Sequence, residues 1–299
     1  MLLGYARGKV GSLVFARRKG EQITRSRNTA PANPRTNAQM AQRMKMYAPV
    51  QLYRQSMRAF FKFAFNVAPK ETIFNAYMRE NIAIAPWTER GLVSAQAPIP
   101  FPARMSSGSV SGYSYKELSG DEYGQPFFGL TGNELEINVS IWVNDEQSAT
   151  IGSISQAILA ANPSLSIGDQ ITFVLCHTSG LSIQNGAVTY DGMSGFNFRY
   201  AKFVLDPNNL QTPDAYGLLF VSGMLSLHQA GNLAQDAVGG CVIVTRNEGS
   251  KVIASNSTLA LNTAAQEIYE LMTSSAYEQK AALSYKVTED AYLNPATTE

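Results

Sequence analysis

Histidine and cysteine are scarce in this chain, with two of each among 299 residues. No CxxC, HxH or HExxH arrangement can be written from them, which excludes a structural zinc site of the usual local spacing. Cys176 and His177 are neighbours in an extended apolar run, so their side chains face opposite ways. Cys176 and Cys241 both sit among apolar residues, where a buried thiol is ordinary, and two cysteines make no disulfide framework. A Gly-x-Ser-x-Gly elbow is missing as well. "RGKVGS" at 7–12 lacks the GxxxxGK[ST] order of a phosphate loop, and its glycines read as a bend. The acids are scattered through turns and polar strand faces, with no local catalytic pair. The expectation is a non-enzymatic protein with no cofactor and no metal.

Long apolar runs are also lacking. The longest, "YGLLFVSGMLSL", is too short and too broken to span a bilayer. "MLLGYARGKVGS" has three apolar residues before Arg7 and no signal-peptide core. These features predict a protein with no membrane partner, cytoplasmic or assembled in a cytoplasm. The sequons at Asn138 and Asn256 then carry no weight.

Charge is low overall, at 16% of residues and a net +1, yet it is unevenly placed. Residues 1–80 hold 15 Lys/Arg and 3 acids, while the remainder holds 9 Lys/Arg and 20 acids, giving +12 and −11. A split this large suggests a basic region with its own partner beside an acidic body. The cations are Arg7, Lys9, Arg17, Arg18, Lys19, Arg25, Arg27 and Arg35, followed by Arg43, Lys45, Arg54, Arg58 and Lys62; up to residue 62 the only acid is Glu21. Many are arginines, whose planar fork suits bidentate phosphate contacts. The candidate partners are a nucleic-acid phosphate backbone or an acidic protein surface, including the acidic body of the chain itself or of a neighbouring copy. Tyr5, Phe15, Tyr47, Tyr53, Phe60, Phe61, Phe63 and Phe65 interleave with the cations. At helical spacing they read as core residues more readily than as base-stacking platforms.

Along the chain, 1–29 reads as a hairpin turning at Arg18, Lys19 and Gly20, with Gly20 supplying positive φ. Its modest apolar content predicts that it packs on something else, because isolated hairpins are marginal. Thr36 and Gln39 match a capping box, predicting a helix from Asn37 to about Tyr47, stopped by Pro49. A second helix is expected over roughly 50–65, with Arg54, Arg58 and Lys62 in one stripe, and a third within 70–84.

Residues 87–130, rich in Pro, Gly and Ser, read as a junction with short strands. From 131 the period becomes two. "ELEINVSIWV", "DQITFVLCH", "FNFRYAKFVL", "GLLFVSGMLSL", "GGCVIVTR" and "KVIASNSTLAL" read as strands, with "SQAILAA" as a short helix. Turns are expected at Gly168-Asp169, Asn185-Gly186 and Asp191-Gly192. Two closing helices are expected at about 263–273 and 276–287, the second opened by a capping box from Ser275 to Glu278. The fold expected is α+β: a basic hairpin-and-helix region (1–86), a linker with short strands (87–130), an antiparallel β-sandwich (131–262), and C-terminal helices with a tail (263–299).

The Gly/Val hairpin, "NPRTNAQMAQRMKM" at 33–46 and "IFNAYMREN" at 73–81 resemble an uncharacterised family frequent in phages, prophages and mobile elements of gut Bacteroidales. The resemblance covers roughly residues 4–82 and, more loosely, "SNSTLAL" at 255–261. The Pro-Arg-Thr…Gln…Gln-Arg core is its most specific part. Members often carry a Trp in the hairpin where this chain has Phe15-Ala16. The resemblance implies a C-terminal β-sandwich and a viral or mobile-element context, hence virion structure, assembly or genome handling. It supplies no catalytic residues.

The leading expectation is therefore a phage or mobile-element structural or assembly protein, homo-oligomeric or bound to virion proteins, whose basic region contacts nucleic acid or an acidic partner. One alternative is a free, non-specific nucleic-acid-binding protein of replication or packaging. Another is a sandwich-type adhesion or carbohydrate-binding module, for which Trp142 would be the exposed aromatic.

Overall fold

The computed structural model describes residues 6–18, 20–29, 37–56, 64–65, 67, 71–113, 128–131, 134–138, 149–192, 195–221, 224–228, 237–249 and 251–285. Within them the chain is α+β, and its sheets are antiparallel. The first is a three-stranded meander of β1 (Gly8–Val10), β2 (Leu13–Arg18) and β3 (Glu21–Ser26). Helices α1 (Asn37–Ser56), α2 (Ile73–Asn81) and α3 (Arg90–Ser94) follow, then β4 (Arg104–Ser106), β5 (Phe128–Thr131), β6 (Glu134–Asn138) and α4 (Ile151–Ala161).

The largest sheet has the order β10-β7-β13-β14, from β7 (Gln170–Thr178), β10 (Phe196–Val204), β13 (Ala237–Glu248) and β14 (Lys251–Ala254). Between β7 and β10 lies a hairpin of β8 (Leu181–Gln184) and β9 (Ala187–Tyr190). Its two-residue turn is the expected Asn185-Gly186, with φ of 50° and 69°, the geometry of a primed hairpin turn. A four-stranded sheet of order β11-β12-β6-β5 uses β11 (Leu219–Val221) and β12 (Met224–His228). Short strands β15 (Ser257–Thr258) and β16 (Ala260–Leu261) lead into α5 (Thr263–Thr273) and α6 (Ser275–Ser284).

β7 explains the architecture. Eight of its nine residues are buried, Thr172, His177 and Thr178 among them, so both faces of the strand are covered. Ile171, Phe173 and Leu175 pack with Val242 and Val244 of β13, Ala201 and Phe203 of β10, Ile151, Ile154 and Ile158 of α4, and Leu225 and Leu227 of β12. Val174 and Cys176 face the other way, into a core shared with Cys241 and Ile243, Leu52 of α1, Tyr77 of α2, Ile268 and Met272 of α5 and Tyr277 of α6. The strands expected to make one sandwich are thus distributed over several small sheets, and the main sheet carries helices on the face opposite the four-stranded one. Residues 97–105, read from sequence as part of a junction, contribute Ala97, Ile99, Phe101, Ala103 and Met105 to the helix-side core.

Several polar groups buried by this packing are paired, while the hydroxyls of Thr88 and Tyr277 and Glu89 Oε1 are buried without a hydrogen-bond partner among the described residues. Asn81, fully buried, accepts from Arg104 N at 2.7 Å and donates to Arg104 O and Tyr77 O, both at 3.0 Å, so one amide fastens α2 to β4. Ser106 Oγ donates to Ser255 O at 2.6 Å, and Ser255 Oγ accepts from Val244 N at 3.0 Å. Arg246 grips the nearly buried Asp169 through Nε to Oδ1 and Nη2 to Oδ2, each at 2.7 Å.

Several sequence expectations are corrected. α1 does not stop before Pro49 but continues through it to Ser56. Met40, Met44, Ala48 and Leu52 form one buried stripe along it, and that packing outweighs the cost of an internal proline. "GLLFVSGMLSL" is two strands that pair with each other, Val221 opposite Met224. "KVIASNSTLAL" divides into β14, β15 and β16. The cap of α6 is Ser274 rather than Ser275, its side chain accepting from Tyr277 N at 3.2 Å. Thr36, which was expected to cap α1, and the helical stripe beyond residue 56 lie outside the described residues.

Candidate nucleic-acid interface

The basic region falls into two structurally different parts. In the N-terminal sheet every residue of β1 and β3 is exposed, and Val10, Leu13 and Ile23 are left in solvent at 69%, 42% and 37%. The hairpin expected from sequence is real, with Arg18 opposite Glu21 across the turn and Gly20 at φ 90°. Missed was the third strand. Val10 pairs with Leu13 around Gly11-Ser12, so the glycine that the sequence suggests as a bend makes a two-residue hairpin turn. Arg27 N donates to Ser12 O at 2.6 Å and extends the pairing of β3 with β2.

Strand alternation divides the cations between two faces. Lys9 pairs with Val14 and Val14 with Arg25, so these three form one cross-strand row on one face. Arg27 continues that face two residues on. Lys9, Val14, Arg25, Ser26, Arg27, Asn28 and Thr29 line a single groove. Arg17, opposite Gln22, lies on the other face with Val10, Leu13 and Phe15. Arg7 is exposed just before β1. Arg18 takes its place at the end of β2, and Lys19 and Arg35 lie outside the described residues.

The second part is α1, which belongs to the body. Lys45 is half-buried; its Nζ donates to Ala83 O at 3.2 Å and stands 4.3 Å from the centre of the Trp87 ring. This cation fastens the helix to the segment after α2. Arg43 is exposed, with Nη1 3.8 Å from Met40 Sδ. Arg54 is exposed in the last turn of α1. Arg58 and Lys62 lie outside the described residues, as does Trp142. Of the thirteen cations singled out from sequence, the structure therefore brings Lys9, Arg25 and Arg27 together and turns Lys45 inward.

Ionisation elsewhere follows burial. Both thiols are buried, and desolvation pushes Cys176 and Cys241 well above the usual thiol range, Cys241 further by the neighbouring Cys176. Neither supplies a thiolate near neutral pH. Tyr47 is pushed up to about 12 by burial, then by Tyr190, and donates to Ala97 O at 3.0 Å. Among the described residues no three His, Cys, Asp or Glu side chains gather as a metal site, and no helix is long and apolar enough to cross a membrane.

With this geometry in place, comparison with known proteins adds one finding. Residues 5–86 match the model of a family of unknown function, DUF6266. The match takes in the N-terminal sheet, α1 and α2, and leaves the main sheet outside it. Neither the curated proteins nor the solved structures gave a match to the chain.

Proposed function

We propose that this chain is a non-enzymatic structural or assembly protein of a phage or mobile element, which holds nucleic acid through its basic N-terminal sheet. The observation that carries the reading is the exposure of that sheet. Cations on a face that no core occupies are placed to meet a polyanion, and contacts of this kind track the phosphate backbone with little base specificity. The body, with its central buried strand, is the scaffold. In a symmetric particle many weak phosphate contacts would add through avidity. The resemblance to a phage and mobile-element family supports the context. The matched family, being of unknown function, adds no activity.

The charge division favours a second reading, in which the basic sheet docks on an acidic protein surface, since the residues after 80 carry −11. A titration of the purified full chain against labelled single- and double-stranded DNA and RNA at two salt concentrations separates the two. The proposal expects binding that weakens steeply with salt. No binding at low salt sinks it and leaves the acidic protein as partner. Presence of the protein in purified particles would distinguish an assembly role from that of a free binder in replication or packaging.

A further inference from the structure

The proposed function gives the basic region a polyanionic partner without saying how it is held. The N-terminal sheet carries that further, because its two faces differ. One presents Lys9, Val14 and Arg25 in a cross-strand row, with Arg27 following on the same side. Lys9 and Arg25 stand two strand spacings apart, about 10 Å between backbones. The groove they border is also lined by Asn28 and Thr29 and by no acid, while Ser26, which edges it, pairs with Leu13 and turns its side chain to the other face. The sheet's Glu21 stands at the far end of β3, opposite Arg18. The other face carries Val10, Leu13 and Phe15, with Arg17 at its end.

We infer that this groove is a one-sided phosphodiester clamp: Lys9, Arg25 and Arg27 hold successive phosphates of one nucleic-acid backbone, with Asn28 and Thr29 beside them donating to the same oxygens, and Arg17 takes no part. The inference rests on the nucleic-acid reading above. Charge complementarity selects the occupant, since the groove offers cations and neutral donors and the phosphodiester chain is a continuous acceptor. Val14, between the cations, presents no donor to a base edge, so the clamp reads charge and not sequence.

The expected signature is quantitative. Three phosphate contacts give a slope of log affinity against log salt of about −2.7 on duplex DNA, or roughly a 40-fold loss between 50 and 200 mM salt. Lys9→Ala, Arg25→Ala and Arg27→Ala, each in the full chain, should each reduce that slope by about one. Arg17→Ala removes the same charge from the opposite face and should leave affinity and slope close to wild type. All four positions are exposed, and circular dichroism with urea unfolding checks that each variant is folded.

A loss for Arg17→Ala equal to that of the other three overturns the one-sided clamp while leaving the nucleic-acid reading intact. Displacement of the oligonucleotide by polyglutamate at equal charge concentration overturns the phosphate assignment in favour of an acidic peptide. Absence of nucleic-acid binding by the wild-type chain overturns both readings together.

Discussion

In β7 eight of nine residues are buried, whereas in β1 and β3 every residue is exposed. Both sheets are antiparallel, so the difference lies in what covers them. The main sheet lies between helices and a second sheet, and its buried polar atoms are paired. The N-terminal sheet has side chains of mixed character, of which only Val14 and Phe15 are half-buried among the described residues. Apolar burial at roughly 25 cal/mol per Å2 stabilises the first and gives little to the second. Residues that a core does not hold are available to hold a partner, and the cations are concentrated there.

The widest contrast should come from matched phenylalanines. Phe173→Ala removes a fully buried ring and should cost about 3–5 kcal/mol, while Phe15→Ala in the N-terminal sheet should cost about 1 kcal/mol or less. Urea unfolding of the two variants reads this directly, and similar losses would break the comparison. Arg246→Ala leaves the Asp169 carboxylate, 2% exposed, without its bidentate partner. The loss should be about 3 kcal/mol, at the low end for a broken buried pair because Arg246 is itself 31% exposed. Asn81→Ala strips the Arg104 backbone of its partners and should cost about 1–3 kcal/mol in the same assay.

Alkaline pH sharpens the comparison further. Tyr47 has its folded value raised to about 12. A raised value means the folded chain holds the proton more tightly, so the contribution is complete below pH 10 and is lost as pH rises through 12. Tyr47→Phe should therefore flatten the decline in stability over that window, as read by urea midpoints at each pH. The smallest stability effect is expected for Lys9→Ala, within about 0.5 kcal/mol of wild type, even as its nucleic-acid affinity falls.

Much of this fold was legible where local chemistry and packing agree. The strand of β7, the Asn185-Gly186 turn and the N-terminal hairpin turning at Gly20 are all written in residue order. Legibility failed where tertiary packing overrode a local rule. Pro49 is a helix breaker by itself, but the stripe from Met40 to Leu52 holds α1 through it. Ser274 and Ser275 are chemically equivalent caps, and only the geometry of α6 selects between them. The candidate site was half legible. Charge counting found the cations, but it could not tell Lys45, laid over Trp87, from Lys9 in solvent, nor Arg25 from Arg17 on opposite faces. That distinction depends on register and on a third strand hidden behind a two-residue turn.

The central claim is that the N-terminal sheet holds the partner while the body serves as scaffold. Hydrogen–deuterium exchange of the full chain, with and without single-stranded DNA at low salt, tests it most directly. The account predicts slowed exchange across residues 8–27 and no change in β7 or β13. Slowing confined to the body, with the sheet unaffected, would contradict it.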